Sequence, residues 1–327
     1  MKAIVQSVYG SADVLELRDV ERPSIKDDEV LVEVRAAGVD PGVWVLMTGR
    51  PYLMRLLGFG LRRPKVAGRG RAVAGVVAAV GARVTRFRPG DEVYGTSESG
   101  SFAEFARALE GKLAVKPANL SFPQAAAVPV SGVTALQAVR DVAQVRSGQR
   151  VLVIGAAGGV GSYAVQLARS LGAHVTGVCG PDKAALVRSL GAEDVIDYTK
   201  SEVDSGGARY DVIIDTAGNR PLSLLRRALA PRGTLALVGG GHVDSPVLGG
   251  MDRTLRAGFV SMVGGGQRLR GVMARERASD LDELRELIEA GSVTPAIDRT
   301  FALPAAPDAV RYLAEGHPAG KVVVTIG

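Results

Sequence analysis

Cysteine is nearly absent from this 327-residue chain, which contains one, Cys179. A single thiol cannot close an intramolecular disulfide and cannot build a multi-cysteine zinc site. Histidine is almost as scarce. The three present (His174, His242 and His317) are scattered, and none shares a helical face with another in the way metal ligands do. Long apolar runs are also missing. The best stretch, 72–82, falls far short of the ~20 residues that a membrane-spanning helix needs. The opening MKAIVQSVYG alternates in character and lacks the apolar segment of a signal peptide. These absences predict a cytoplasmic protein with no metal and no membrane partner.

What is present fits a folded enzyme-sized chain. Hydrophobic residues make up 46% and charged residues 23%, over a length that predicts about two domains, each able to bury a core. The net charge of +6 comes mainly from arginine, since lysine supplies 8 of the 40 cationic residues. A basic balance permits nucleic-acid binding without requiring it.

Residues 1–121 read as short strands and turns. Residues 3–5 alternate, as do 30–36, where Val30, Val32 and Val34 stand opposite Leu31, Glu33 and Arg35. Residues 72–80 form a glycine-interrupted apolar strand, and Arg88-Pro89-Gly90-Asp91 makes a turn before a strand at 92–94. The rhythm changes at Ser121, an N-cap with Gln124 three residues on, as in a capping box. Strands at 150–155, 174–179, 195–196, 211–215 and 234–238 then alternate with helices at 159–171, 182–190 and 221–230. That alternation predicts an α/β architecture with a doubly wound parallel sheet. Helices at 280–290 and 306–315 precede an apolar strand, 321–326, that rejoins the first domain.

The chemistry is concentrated in 151–179, VLVIGAAGGVGSYAVQLARSLGAHVTGVC. An apolar strand meets a glycine-rich turn that opens an amphipathic helix, with Val160, Ala164, Leu167, Ala168 and Leu171 as its buried stripe. Ala156, Gly158 and Gly161 fit a dinucleotide fingerprint with alanine at its first glycine. Gly158 lets the backbone approach a pyrophosphate, Gly161 allows close packing of helix on strand, and the helix N-terminus binds the anion. An acid selecting NAD should follow about 20 residues on. Cys179 stands there instead, and Lys183 lies within reach of a 2′-phosphate. NADPH is therefore expected over NADH, against which Asp182 argues unless it caps the next helix.

Longer matches make a resemblance specific. AAAVPVSGVTALQAV (125–139), GAAGGVGSYAVQLARSLGA (155–173), RSLGAEDVIDYTK (188–200), YDVIIDTAGN (210–219), PRGTLALVGG (231–240) and GKVVVTIG (320–327) resemble the zinc-free medium-chain dehydrogenases/reductases of the quinone oxidoreductase or enone reductase type. RFRPGDEVYG (86–95) extends the likeness into the N-terminal half. The resemblance implies a GroES-like, mostly β domain (1–121 with 268–327) around a Rossmann domain (122–267), with the nicotinamide in the cleft between them. It implies that Ala156, Gly158, Gly159, Val160 and Gly161 hold the pyrophosphate. Lys183 and Tyr198 would flank the adenosine phosphate, with Cys179 at the cofactor-binding place of the NAD-selecting acid, and Gly218, Val238, Gly239 and Gly240 would line the nicotinamide. Thr134 is either a cofactor contact or an ordinary helix residue, and Tyr198 either a contact or a surface aromatic. Relatives often form homodimers, and 259–263 reads as an edge strand suited to pairing with a second copy.

The resemblance breaks at the catalytic end. Zinc-dependent relatives carry Gly-His-Glu where this chain has Gly70-Arg71-Ala72. Zinc-free relatives commonly carry Asn, Asp and Asp where Asp40, Val43 and Ala72 stand here. Asp40 and Tyr52 are the remaining proton donors. Trp44, Met47, Leu53, Met54, Leu57 and Phe59 suit an apolar or aromatic carbonyl or quinone, or else pack beneath a long loop. Residues 50–71 are basic with no intervening acid, which reads as a solvated face or a site for an anion. The altered positions leave open non-redox chemistry on the same fold, such as a cyclase or dehydratase. Nucleic-acid binding is the third and weakest reading.

Overall fold

The computed structural model of the chain describes all residues except 240–248, 264 and 317. Gly240, His242 and His317 therefore lie outside the described residues. The chain divides into two compact units, 1–133 with 276–327, and 134–275.

The first unit begins with a small antiparallel pair, β1 (Lys2–Val5) and β2 (Glu16–Asp19). Its main sheet starts with β3 (Glu29–Val39), β4 (Ala72–Val80), β5 (Glu92–Thr96), β6 (Phe105–Leu109) and β7 (Leu113–Val115). Helices α1 (Pro41–Thr48) and α2 (Tyr52–Met54) follow β3, and α3 (Phe122–Ala126) and α4 (Pro129–Gln137) follow β7. The capping box at α3 forms as expected, with Ser121 and Gln124 bonding reciprocally.

The second unit is a parallel sheet of β8 (Arg150–Ile154), β9 (His174–Cys179), β10 (Asp194–Asp197), β11 (Tyr210–Asp215), β12 (Leu229–Val238) and β13 (Arg268–Val272). Its spatial order is β10-β9-β8-β11-β12-β13. Helices α5 (Gly159–Ser170), α6 (Ala184–Ser189), α7 (Leu222–Ala228) and α8 (Met251–Val263) connect the strands. After α9 (Ala278–Glu289), the last strands, β14 (Ile297–Ala302) and β15 (Lys321–Thr325), with α10 (Ala306–Ala314) between them, return to the first unit. There β15 pairs antiparallel with β3, as the sequence predicts for the final strand.

Three expectations change. Residues 259–263 are the end of α8, not a strand, and on that side of the sheet the edge among the described residues is β13, with β10 at the opposite edge. Because β13 pairs with β12, the parallel sheet also extends past the expected limit of 267. Leu171 is 44% exposed, while 161–168 of α5 are all buried. That helix is packed nearly all round instead of along one stripe.

Candidate functional site

The parallel sheet reverses its strand order between β8 and β11, and the crevice beyond such a reversal is where α/β sheets bind ligands. Two turns meet there. Val151 to Ile154 are fully buried, and β8 then stops at Gly155, whose φ of 78° is a left-handed conformation. The N–H groups of Gly155 and Ala156 both donate to the Val178 carbonyl, at 3.1 and 3.0 Å, which stitches the turn to β9. A Cβ at Gly161 would overlap the Gly155 carbonyl oxygen, so the close crossing of α5 over the turn requires glycine there.

Gly158 is the N-cap of α5 and brings no side chain to cap it. The N–H groups of Gly159, Val160 and Gly161 consequently lack helix acceptors and meet none among the described residues. With the helix dipole behind them, these three amides form a cradle for a phosphate anion. The residues present thus fit a dinucleotide's pyrophosphate.

On the neighbouring strand end, the Thr216 hydroxyl donates to the Ile154 carbonyl at 2.7 Å. Asp215, fully buried, accepts from the Ala217 and Gly218 N–H groups at 3.2 and 2.9 Å and pairs with Arg253 at 2.6 Å. These bonds fix the Gly218 turn beside the Gly155 turn. Val238 ends β12 nearby in the sheet, followed by Gly239 at φ 82°. Gly155, Asp215, Thr216 and Arg253 escape the sequence reading. Gly155 was visible in the spacing G-x-x-G-x-x-G of 155, 158 and 161, which places the turn glycine one residue before Ala156. Ala156 itself is buried, with its N–H already bonded.

At the other end of the crevice, Cys179 closes β9 in register with Asp197 of β10, and the Tyr198 N–H donates to the Cys179 carbonyl at 3.3 Å. Burial pushes the Cys179 thiol up, with Asp182 and Asp197 adding to the effect and Lys183 and Arg188 opposing it. The expected absence of acid here is thus incomplete. Asp182 does not cap the next helix either, because it lies within the 3₁₀ turn Pro181–Lys183 and Lys183 is the N-cap of α6. Tyr198 is 50% exposed, and Thr134 is half-buried in α4.

The first unit carries the remaining candidates. Asp40 is the N-cap of α1, yet its side chain makes no capping bond. It is instead ion-paired with Lys321 of β15 and accepts from the Ser131 hydroxyl at 3.3 Å. Lys321 also donates to Ser131 at 3.0 Å and to the Val39 carbonyl at 3.3 Å. Asp40, Lys321 and Ser131 are each no more than 3% exposed, and the Asp40 Oδ2 meets no partner among the described residues. Tyr52 is 40% exposed, with the Arg50 and Arg55 guanidinium groups 5.8 and 4.9 Å from its ring centre. No polar contact joins Tyr52 to Asp40 among the described residues. Met47 is fully buried in the core with Val43, so it supports α1 from within.

Arg71, at the position where zinc-dependent relatives have ligands, is paired with Glu276, which also meets Lys112 at 3.1 Å. Burial acts to raise the Glu276 carboxyl, but Arg71 and Lys112 hold it below the usual range. The guanidinium and ammonium around Glu276 are the wrong chemistry for a cation site. No group of three or more His, Cys, Asp or Glu residues could hold a metal among the described residues, where His174 is tied instead to Glu193 and Asp194.

Residues 26–118 match the family described as "Alcohol dehydrogenase GroES-like domain", and 190–324 that described as "Zinc-binding dehydrogenase". The chain is 32% identical to the Bos taurus "NAD(P)H oxidoreductase RTN4IP1, mitochondrial", covering 100% of this chain and 89% of that protein. It is 33% identical to the Solanum lycopersicum "2-methylene-furan-3-one reductase", covering 99% and 79%. A quinone oxidoreductase structure from Coxiella burnetii aligns with a TM-score of 0.86 at 29% identity, covering 100% of this chain and 99% of that one.

Proposed function

Because the chain belongs to the medium-chain dehydrogenase/reductase superfamily, we propose that it is an NADPH-dependent, metal-free reductase of quinones or α,β-unsaturated carbonyls. The observation that carries this reading is the amide cradle of Gly159, Val160 and Gly161 beside the sheet's reversal point. The names of its relatives, reductases of quinones and enones, point the same way. A bound nicotinamide supplies a hydride to the quinone or to the β-carbon of the enone. Completing the quinol, or saturating the α-carbon, then takes one proton.

Tyr52 is the donor we propose, since its phenol is exposed at the start of α2, with the Arg50 and Arg55 guanidinium groups against its ring. Asp40 serves as a buried counter-charge to Lys321 that fixes the start of α1, instead of handling the proton itself. Trp44 and Phe59, 37% and 40% exposed, favour an apolar or aromatic substrate. Lys183, Arg188 and Tyr198 support the 2′-phosphate of NADPH, while Asp182 and Asp197 temper the preference, so NADH should act as a weaker substrate. Thr134, Gly218, Val238 and Gly239 complete the proposed cofactor contacts. The free, buried Cys179 and the absence, among the described residues, of a helix able to cross a membrane favour a cytoplasmic location. A homodimer belongs to the same proposal, with the β13 edge in place of 259–263 and light scattering as its check.

The test is NADPH oxidation across a panel of soluble quinones and enones, with product masses. Products heavier by two hydrogens, one per NADPH consumed, are expected, and Tyr52→Phe should slow turnover about 100-fold. NADPH binding without turnover of any member of the panel would refute the reading.

A further inference from the structure

Charge is spread unevenly along the chain. Between Asp40 and Asp91 there is no carboxylate, and ten of the 40 cationic residues fall in that interval, so the rest of the chain is net acidic. Four of the ten are neutralised: Arg71 by Glu276, Arg83 by Asp27, Arg86 by Asp282 and Arg88 by Asp91. Arg55 and Arg69 turn inward and donate to backbone carbonyls. Arg50 lies over the Tyr52 ring. Arg62, Arg63 and Lys65 are exposed, and their cationic groups meet no partner among the described residues.

These three residues share a closed finger. The Lys65 N–H donates to the Phe59 carbonyl at 3.1 Å, and the Tyr9 hydroxyl donates to the carbonyls of Phe59 and Gly60 at 3.0 and 2.7 Å. Residues 59–65 are thereby pinned at the base and project at the tip. Leu61 at the tip is 62% exposed, and Leu56 and Val66, flanking the finger, are 71% and 50% exposed. Beside the finger a groove of about 1020 Å³, lined by Leu61, Arg62, Arg63 and Lys65 on one side, opens toward β1 and β2, whose Glu16 and Asp19 carboxylates on the far wall are paired with Arg18 and Lys2. Single exposed aliphatic residues need no explanation, but aliphatics interleaved with unpaired cations, on a finger that carries no acid of its own, match the headgroup layer of an anionic bilayer.

We propose that this finger docks the protein on the surface of an anionic phospholipid bilayer. Leu61 and its aliphatic neighbours enter the boundary between headgroups and acyl chains, while Arg62, Arg63 and Lys65 meet lipid phosphates. RNA would satisfy the cations but would leave Leu56, Leu61 and Val66 without partners. The proposal departs from the expectation of no membrane partner, which rested on the lack of a spanning segment; a surface dock needs none.

The test is flotation of the full chain with phosphatidylcholine vesicles, with and without about one-third phosphatidylglycerol. Binding is expected only to the anionic vesicles and should weaken with salt. R62Q/R63Q should weaken partition about 30-fold, as two interfacial cations at ~1 kcal/mol each imply, and L61S about tenfold. Both variants should keep the wild-type melting temperature, because the altered side chains are exposed. Equal partition into both vesicle types, wild-type partition of both variants, or tight binding to single-stranded RNA without vesicle binding would each overturn the proposal.

Discussion

Replacing Lys321 by methionine should destabilise the first unit far more than a surface lysine would. The substitution leaves the Asp40 carboxylate 3% exposed, with the Ser131 hydroxyl as its remaining side-chain partner. Removing one member of a buried ion pair costs about 3–5 kcal/mol, because the other charge stays desolvated and unmatched. Asp40→Asn alone should lose a similar amount, now stranding the ammonium. The double variant D40N/K321M carries no charge at the site and should lose only about 1–2 kcal/mol, which makes the coupling between the two positions about 4 kcal/mol or more. The assay is urea unfolding followed by fluorescence of Trp44, the chain's sole tryptophan, which lies in α1 directly after Asp40. It reports the first unit even if the two units unfold separately. If K321M stays within about 1 kcal/mol of wild type, or the double variant equals the sum of the singles, the pair does not act as described.

Other outcomes follow from the same structure. Gly161→Val forces a side chain against the Gly155 carbonyl, so NADPH binding followed by fluorescence titration should be lost, with stability lower by about 1–3 kcal/mol. Glu276 has a depressed folded pKa, so its contribution is present above its unfolded value near 4.3 and disappears as pH falls through the folded one. E276Q should therefore lower stability at neutral pH by roughly 0.5–1 kcal/mol and flatten its decline in acid, as read from melting curves between about pH 3 and 7. Cys179 is buried with a raised pKa, so a thiol reagent at neutral pH should react slowly with the folded chain and quickly in urea. Rapid labelling of native protein would contradict its placement.

Local regularity made much of the fold legible in the sequence. The strand and helix alternation from 150 to 238 is periodic, and the capping box at Ser121 and Gln124 is a four-residue signal that forms as written. Residues 259–263 misled because a short apolar run has no period long enough to separate helix from strand. In the structure they complete a helix whose Leu255, Phe259 and Met262 are exposed, an arrangement that burial patterning cannot announce. The glycine cradle was legible apart from the assignment of its first glycine. The fate of Asp40 was not, because its partner lies 281 residues away and nothing local marks the two as neighbours. The loop's charge was plain, but which cations find partners depends on carboxylates as distant as Glu276 and Asp282.

The return of β14 and β15 to the first sheet sets an order of events during synthesis. The parallel sheet of the second unit is complete once residue 272 has been made, whereas β3 obtains its β15 neighbour only when residues 321–325 emerge. At typical rates of synthesis, ~5–20 residues per second, the second unit has several seconds to fold while the first still lacks an edge. Throughout that interval Asp40 has no ammonium to meet and must stay hydrated. Arrival of Lys321 then both closes the sheet and allows the carboxylate to be buried, so ribosome-bound chains ending before 321 should hold a folded second unit and an open first one.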